Sequence, residues 1–189
     1  MPNEIEIKLA LPENLTEIRR KLREEGFGVS KKRIHEMNVV FDTSGSVLRQ
    51  GGKLLRLRQV GRSSILTFKG PPKPGKHKSR EELETDIPDA PAFEKILSRL
   101  GYNPTFRYEK FRTELERTGE QGVVTLDETP IGNFLEIEGA PRWIDRNAKA
   151  LGFSTRDYIT KSYGSLYVDY CAAYGVQPTH MLFKRRGKA

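Results

Sequence analysis

Like charges recur two residues apart along this sequence, and these pairs have the most obvious capacity for chemistry. The pairs are Glu4/Glu6, Arg56/Arg58, Glu82/Glu84 and Glu136/Glu138. In an extended strand, residues i and i+2 lie on the same face, about 6.5–7 Å apart. Like charges at that distance repel each other unless an opposite charge lies between them. A divalent cation would relieve the glutamates, and a polyphosphate would relieve the arginines.

The charged pairs fall in segments whose hydrophobicity alternates with the period of a β-strand. Eight strands are predicted, at residues 4–9, 29–42, 53–60, 64–69, 78–87, 105–116, 123–128 and 133–139. In the first of them, Ile5, Ile7 and Leu9 share one face while Glu4, Glu6 and Lys8 share the other. Most of the other strands repeat this division, so the predicted sheet has one apolar face and one charged face.

Four amphipathic helices are also predicted, and they need an apolar surface to cover. The first has Asn14 as its N-cap and ends at Gly26, the second spans 91–100, the third starts at Pro141, and the last lies near 161–174. If the sheet closes with its apolar face outward, the helices cover that face and the charges line the interior. Eight strands enclose a lumen wide enough for side chains or one small ligand. We therefore predict an α+β fold, an eight-stranded antiparallel β-barrel, or tunnel, with a charged interior and helices packed on the outside.

An open antiparallel sheet with one solvated face is the simpler alternative. Solvated faces usually mix lysine, glutamate, threonine and serine freely. Four pairs of like charges are not expected on a face that serves only solubility, and this favours the closed barrel.

The predicted lining contains acidic and basic side chains in equal number. The acidic residues are Glu4, Glu6, Glu82, Glu84, Asp127, Glu136 and Glu138, and the basic residues are Lys8, Arg56, Arg58, Lys69, Arg80, Lys110 and Arg112. An all-oxygen carboxylate cluster suits Mg²⁺ or Mn²⁺ and does not suit zinc. Arginine and lysine side chains suit phosphate oxygens.

Composition is consistent with one domain, predicted at residues 1–176, followed by a loosely held basic tail at 177–189. The formal net charge of +8 and the pI near 9.6 indicate an anionic partner. The chain has one cysteine, no apolar run long enough to span a membrane and no apolar segment typical of a secretory signal. We expect a cytoplasmic protein without a membrane partner.

Seven motifs, taken in order, resemble those of the CYTH, or triphosphate tunnel, family. Glu-Ile-Glu-Ile-Lys at 4–8 is similar to the E-x-E-x-K signature that opens the family. The later matches are Phe41-Asp42-Thr43, Leu55-Arg56-Leu57-Arg58, Lys69-Gly70, Arg80-x-Glu82-x-Glu84, Lys110-x-Arg112 and Gly132-x-Phe134-x-Glu136-x-Glu138, followed by Lys161-Ser162-Tyr163 with Leu166. The resemblance covers roughly residues 4–170. The family includes class IV adenylyl cyclases, thiamine triphosphatases and inorganic triphosphatases.

The resemblance implies a role for each charged position. The triphosphate would be bound by Lys8, Arg56, Arg58, Lys69, Arg80, Lys110, Arg112 and Lys161. The metal ligands would be Glu4, Glu6, Asp127, Glu136 and Glu138, with Glu82 and Glu84 as helpers, and the catalytic residues would be Glu4, Glu6, Glu136 and Glu138. One Mg²⁺ or Mn²⁺ ion would orient the triphosphate, and a second would lower the pKa of the attacking hydroxyl or water.

The branch of the family is less sharply defined by the sequence. Val40 stands where the thiamine triphosphatases are expected to carry a tyrosine, and the segment 100–106 is similar to class IV cyclases. This favours a cyclase that converts ATP to cyclic AMP and pyrophosphate, with an inorganic or thiamine triphosphatase as the alternative. A third reading is a module that binds RNA or polyphosphate without catalysis. Rows of glutamates would repel a nucleic-acid backbone and argue against it. A homodimer is compatible with the sequence but not defined by it.

Overall fold

Eight strands form a closed antiparallel barrel in the computed structural model, which describes residues 3–184. The strands are β1 (Asn3–Leu11), β2 (Gly28–Asp42), β3 (Leu54–Val60), β4 (Ser63–Lys69), β5 (Lys78–Asp86), β6 (Asn103–Glu116), β7 (Gly122–Thr129) and β8 (Gly132–Gly139). Their order around the barrel is β1-β5-β4-β3-β2-β6-β7-β8, and β8 pairs with β1 to complete the circle. The predicted fold class and strand count are confirmed.

Five α-helices pack on the outside of this barrel. They are α1 (Thr16–Glu24), α2 (Val47–Gln50), α3 (Ala90–Arg99), α4 (Pro141–Ala150) and α5 (Tyr163–Tyr174), with a 3₁₀ turn at Thr155–Asp157 between the last two. Four of the helices were predicted. Leu15, not Asn14, occupies the N-cap position of α1, while the Asn14 side chain accepts a hydrogen bond from the N–H of Thr16.

The short helix α2 was not predicted because it is held by one side chain and not by an apolar stripe. The Asp42 carboxylate accepts hydrogen bonds from the backbone N–H groups of Thr43, Leu48 and Arg49 at 2.8–3.0 Å. These bonds satisfy N–H groups that have no partner within a helical turn. The Phe41-Asp42-Thr43 motif therefore has a structural role at the end of β2.

The apolar faces of the strands lie outward, as predicted from the sequence. Ile7, Leu9, Leu135 and Ile137 are completely buried beneath α1 and α4, where they contact Ile144 and its neighbours. A second cluster packs α3, through Leu97, against Val39, Phe41 and Leu57 of β2 and β3. Because side chains alternate along a strand, burying these residues outside turns their charged neighbours inward.

Close packing of α4 on the barrel depends on Gly122. A Cβ atom at this position would lie 2.8 Å from the Trp143 ring, and the backbone has a φ of +147°. Gly122→Ala is expected to lower the free energy of unfolding by about 1–3 kcal/mol through overpacking. Gly119→Ala in the same turn is the control, because Gly119 also has a positive φ of +80° but no neighbour within 4 Å of a Cβ. Urea denaturation measures both, and equal losses would mean that backbone strain alone accounts for the effect.

Residues 177–189 were expected to be loosely held, but His180, Met181 and Phe183 contact β6. Met181 forms an isolated parallel β-bridge with Tyr108. Its backbone N–H donates to the carbonyl oxygen of Arg107 at 3.0 Å, and its carbonyl oxygen accepts from the N–H of Glu109 at 2.9 Å. The Met181 side chain is 1% exposed. The remainder of the predicted basic tail, 185–189, lies outside the described residues. Between residues 3 and 184, no helix combines the length and apolar character required to cross a membrane.

Candidate active site

The interior of the barrel is lined by alternating rows of carboxylates and cations that pair across strands. Register sets these pairs, since β1 and β8 place Lys8 opposite Glu136 and Glu6 opposite Glu138. Most of these side chains are nearly inaccessible although all carry charge. Buried polar groups of this kind are stable only when they are paired and hydrogen-bonded. The structure therefore supplies a partner for each row of like charges that the sequence revealed.

The first group of ion pairs lies between β1, β4 and β5. Lys69 Nζ is 2.5 Å from Glu4 Oε1 and 2.9 Å from Glu82 Oε2. Arg80 Nε lies 3.5 Å from the other oxygen of Glu4. The predicted ligands on this wall thus already contact one another: Glu4 and Glu82 share Lys69, and Arg80 joins them through Glu4.

The second group surrounds Lys8, which is 3% exposed. Its Nζ lies 3.1 Å from Glu6 Oε1 and 3.0 Å from Glu136 Oε1. Lys78 Nζ approaches the same Glu6 oxygen to 2.6 Å. Burial alone would raise the pKa of Glu6 and lower that of Lys8, but the attraction within this group outweighs it: the pKa of Glu6 falls well below its ordinary value, while that of Lys8 rises.

The third group is centred on Asp127, whose side chain is completely buried. Lys110 Nζ donates to Asp127 Oδ2 at 2.9 Å, and Arg112 donates through Nε and Nη2 at 2.7 and 2.6 Å. Arg112 also pairs with Glu136. This fork is the bidentate geometry in which an arginine–carboxylate pair is strongest.

The fourth group lies on β3 and its neighbours. Arg58 Nη2 lies 3.1 Å from Glu84 Oε1, and Arg56 Nη2 donates to Thr67 Oγ1 at 3.0 Å. Thr67 in turn donates to Glu84 at 2.7 Å. Arg56 and Arg58 therefore face the lumen side by side, as the sequence predicted.

Interior polar residues that were missed from the sequence include Lys78, Glu36 and Asn38. Lys78 continues the row of Arg80 and Glu82, so alternation could have found it. Burial, reinforced by nearby Lys8, lowers the pKa of Lys78 to about 8. Glu36 and Asn38 lie on the inward face of β2, and they were missed because the neighbouring residues of that strand show no clear charge alternation. Both side-chain polar atoms of Asn38 lack a hydrogen-bond partner within residues 3–184.

Lys161 does not join the other predicted triphosphate ligands. Its side chain is 59% exposed, and its Nζ lies 2.6 Å from Asp169 Oδ2 on the surface of α5. Its position just before the N-cap of that helix leaves the side chain free to follow the surface. The structure thus brings together thirteen of the predicted side chains within the barrel, with Glu138 at its rim and Lys161 outside it.

The two ends of the lumen differ in character. Near Glu138, a cavity of about 330 Å³ is lined by Asn3, Glu4, Glu82, Glu84 and Glu138. On the side of α5, the inward-facing Tyr108 and Phe134 are covered by Tyr163 and Met181, all at most 7% exposed. Small ligands therefore have an acidic entrance at one end, whereas aromatic and aliphatic side chains fill the other.

Comparison with known proteins identifies the family. The sequence model of the CYTH domain matches residues 2–163. The chain belongs to the CYTH family. This confirms the resemblance carried by the seven motifs, and a match over most of the chain places all eight strands within the CYTH domain.

Individual relatives of this CYTH protein agree with the assignment. A Methanocaldococcus jannaschii protein named "Putative adenylate cyclase" is 27% identical over 170 residues, which cover 85% of this chain and 95% of the relative. A Pyrococcus horikoshii protein of known structure is 27% identical with a TM-score of 0.73, covering 88% of this chain and 98% of the other. A Hippeastrum protein, described as a "putative adenylyl cyclase" with a dominant triphosphatase activity, shares the fold at 17% identity and a TM-score of 0.65, covering 94% of this chain and 98% of the other.

The rim of the CYTH barrel carries more negative charge than its cations neutralise. Glu138 keeps an exposed surface at the rim, but partial desolvation by its surroundings raises its pKa to about 7, and repulsion from Glu4 and Glu6 acts in the same direction. The pKa of Glu82 is also raised, by burial and then by Glu4, in spite of the nearby Lys69. Carboxylates whose pKa is raised by desolvation and by mutual repulsion are well suited to a hard divalent cation, since the ion would replace the protons they hold.

The donor set of this CYTH protein therefore fits Mg²⁺ or Mn²⁺ in chemistry, although its carboxylates do not converge on one point. Within residues 3–184, no three acidic, histidine or cysteine side chains are grouped closely enough to hold an ion. The ion pairs give the reason, because Lys69 occupies oxygens of Glu4 and Glu82 while Lys8 occupies oxygens of Glu6 and Glu136. Metal binding would require these carboxylates to exchange an ammonium partner for the ion.

Proposed function

We propose that this protein is a divalent-metal-dependent enzyme that binds a triphosphate in its barrel and cleaves a P–O bond. The observation that carries the proposal is the closed lumen, in which buried cations and carboxylates face one another next to an acidic entrance. The leading candidate reaction is that of an adenylyl cyclase, converting ATP to cyclic AMP and pyrophosphate. The relative from M. jannaschii supports this choice through its name. A cytoplasmic location and a homodimer remain predictions.

The cations are proposed to release their carboxylates when a triphosphate enters. Arg58 and Lys69, for example, each contact carboxylate oxygens that phosphate oxygens could replace with the same hydrogen-bond geometry. The glutamates left without a partner would then need a positive charge, which Mg²⁺ or Mn²⁺ would supply. Binding of the triphosphate and binding of the metal would therefore favour each other, because each relieves the charge that the other exposes.

In the cyclase reaction, the ribose 3′-hydroxyl oxygen forms a bond to the α-phosphorus, the bond to pyrophosphate breaks, and the hydroxyl proton is lost. A bound divalent ion would stabilise the charge on the phosphate oxygens and lower the pKa of the attacking group. The triphosphate is proposed to be bound by Lys8, Arg56, Arg58, Lys69, Arg80, Lys110 and Arg112. The ions are proposed to be held by the carboxylates that line the acidic cavity, Glu4, Glu82, Glu84 and Glu138, with Glu6 and Glu136 deeper in the lumen.

A phosphohydrolase is the second candidate, and one observation favours it. The cavity near Glu138 is lined only by asparagine and glutamate side chains. A nucleobase would meet no aromatic or aliphatic side chain among these lining residues, whereas an inorganic triphosphate needs none. In this reaction water attacks the terminal phosphorus, and the same cations would bind the triphosphate.

Product analysis separates these candidates. The protein is incubated with ATP, and separately with tripolyphosphate, in the presence of Mg²⁺ or Mn²⁺. Cyclic AMP with pyrophosphate indicates a cyclase. Orthophosphate, with ADP or with pyrophosphate, indicates a hydrolase. Binding of either compound without turnover would contradict catalysis and support a binding module.

Arg58→Ala is expected to weaken triphosphate binding by about 10–100-fold, because a hydrogen bond to a charged group contributes about 1.5–3 kcal/mol. The KM for the triphosphate should rise, while the fold is retained because the Arg58 side chain already reaches solvent at 14% exposure. Arg62→Ala in the adjacent exposed turn is the matched control and should leave KM unchanged. An unaltered KM for Arg58→Ala would exclude this arginine from the binding site.

A further inference from the structure

Tyr163 at the start of α5 extends from a helix outside the barrel into the charged interior. Its side chain is buried, and its Oη donates a hydrogen bond to Asp127 Oδ2 at 2.6 Å. The ring meets Phe134 edge-on at 5.5 Å between centroids. Burial, together with the charge of Asp127, raises the pKa of Tyr163, so the phenol remains a donor.

The same ring also lies near two of the proposed phosphate-binding cations. Lys8 Nζ is 5.3 Å from its centroid and Lys110 Nζ is 5.2 Å away. Cations within about 6 Å of an aromatic face are attracted to it, and more strongly where water is excluded. Tyr163 therefore contacts three charged groups that come from three different strands, β1, β6 and β7.

Asp127 links this tyrosine to Lys110 and Arg112. Both of its oxygens are already occupied by donors from these three residues, and none of its surface is exposed. A carboxylate with this environment orients two cations and offers no free lone pair to solvent. It differs in this respect from Glu138, which lies at the rim.

We propose that Tyr163 is a positioning residue that acts through Asp127 to hold Lys110 and Arg112 in place for the triphosphate. The proposal deepens the proposed function and rests on it, since the ligand of these cations is taken to be a triphosphate. Asp127 serves in this arrangement as the support of the basic residues and not as a metal ligand.

A coupling between the lumen and the C-terminal region follows from this arrangement. When phosphate oxygens take donors from Lys110 and Arg112, the buried Asp127 depends more on its remaining hydrogen bond from Tyr163, because an unsatisfied buried carboxylate is costly. Triphosphate binding therefore strengthens the attachment of α5. By linkage, a well-attached α5 strengthens triphosphate binding to the same extent.

Tyr163→Phe tests the proposal, because it removes only the hydroxyl group and keeps the aromatic packing. We expect the KM for the triphosphate to rise about tenfold, as expected for one hydrogen bond to a charged group, with kcat changed much less. Tyr167→Phe is the matched control on the same helix. Its hydroxyl accepts a 3.4 Å hydrogen bond from the N–H of Thr179 and does not reach the lumen. This variant should keep the wild-type KM.

Hydrogen exchange gives a second measurement that does not depend on turnover. Adding tripolyphosphate with Mg²⁺ to the wild-type protein should slow amide exchange in residues 163–174 about fivefold or more, and Tyr163→Phe should lose this response. Wild-type KM and an unchanged exchange response in Tyr163→Phe would overturn the positioning role and leave the proposed function standing. If the wild-type protein binds neither ATP nor tripolyphosphate, the proposed function fails and the coupling fails with it.

Discussion

Glu138→Gln is expected to reduce metal-dependent turnover by about 100-fold or more. Changing even an outer partner of a metal ligand typically costs about 10–100-fold in activity, and removing a direct ligand should cost at least as much. Glu138 lies at the rim beside Glu4, Glu6 and Glu82, which act on its pKa through their negative charge. Glutamine keeps the shape of the side chain but removes the charge that a divalent ion requires.

The same substitution should have the opposite effect on the stability of the metal-free protein. The pKa of Glu138 is about 7 in the folded protein, against an ordinary value of 4.5. Between these values the folded state holds a proton that the unfolded chain has lost, so stability falls as pH rises from about 4.5 to 7. Glutamine does not titrate. The variant should therefore melt at a higher temperature than the wild type at pH 8 in EDTA, with the difference disappearing at pH 4.5.

Two measurements check this prediction, namely turnover with Mg²⁺ or Mn²⁺ and thermal melts in EDTA at both pH values. Glu81→Gln is the control, because Glu81 neighbours Glu82 on β5 but lies on the opposite face of the strand. It should change neither turnover nor the pH dependence. Wild-type turnover in Glu138→Gln would refute its assignment as a metal ligand, whatever the melts show.

Much of the fold could be predicted because one physical requirement links its parts. The strands alternate with period two, and the helices that follow need an apolar surface, so the apolar faces must lie outside. Ile7 and Leu9 on β1 show the result, since both are completely buried beneath helices while Lys8 between them faces the lumen. Closure of the sheet follows from the same requirement, because an open sheet would leave the charged rows without partners.

The site was less predictable because side-chain partners depend on register and on distant segments. Glu36 lies near Lys110 and Arg58 only because β2 lies between β3 and β6. Lys161 shows the reverse case. Its motif suggested a triphosphate ligand, but its place before a helix N-cap allows the side chain to lie on the surface. Sequence spacing shows which face of the sheet a strand residue occupies. It does not show where the side chain of a residue in a connecting segment lies.

The docking of the C-terminal segment on the barrel could not be predicted from its local sequence. Met181 packs with Tyr108, Phe134 and Tyr163 in one buried cluster. Met181 begins a run of three apolar residues with Leu182 and Phe183, and a run this short has no periodicity from which docking on the barrel could be predicted. Its burial becomes explicable only when the barrel end that it covers is known.

Asp127→Leu is expected to lower the free energy of unfolding by about 3–5 kcal/mol, the range found when one partner of a buried ion pair is removed. Leucine has a similar shape, so little packing is lost. The loss arises because Lys110, which is 2% exposed, would keep its charge with only Glu36 remaining at 3.6 Å. Urea denaturation should be used, since guanidinium is a salt and would screen the ion pairs.

Neutralising the partner as well should recover part of this loss. The double variant Asp127→Leu with Lys110→Met removes both charges, and Arg112 retains Glu136, so no lumen cation is left without a carboxylate. Glu128→Leu is the surface control. Its ion pair with Arg33 lies at the surface, with side chains 24% and 46% exposed, and should contribute at most about 1 kcal/mol. A double variant that is no more stable than Asp127→Leu would mean that the lost contacts, and not an uncompensated buried charge, determine the stability of this part of the lumen.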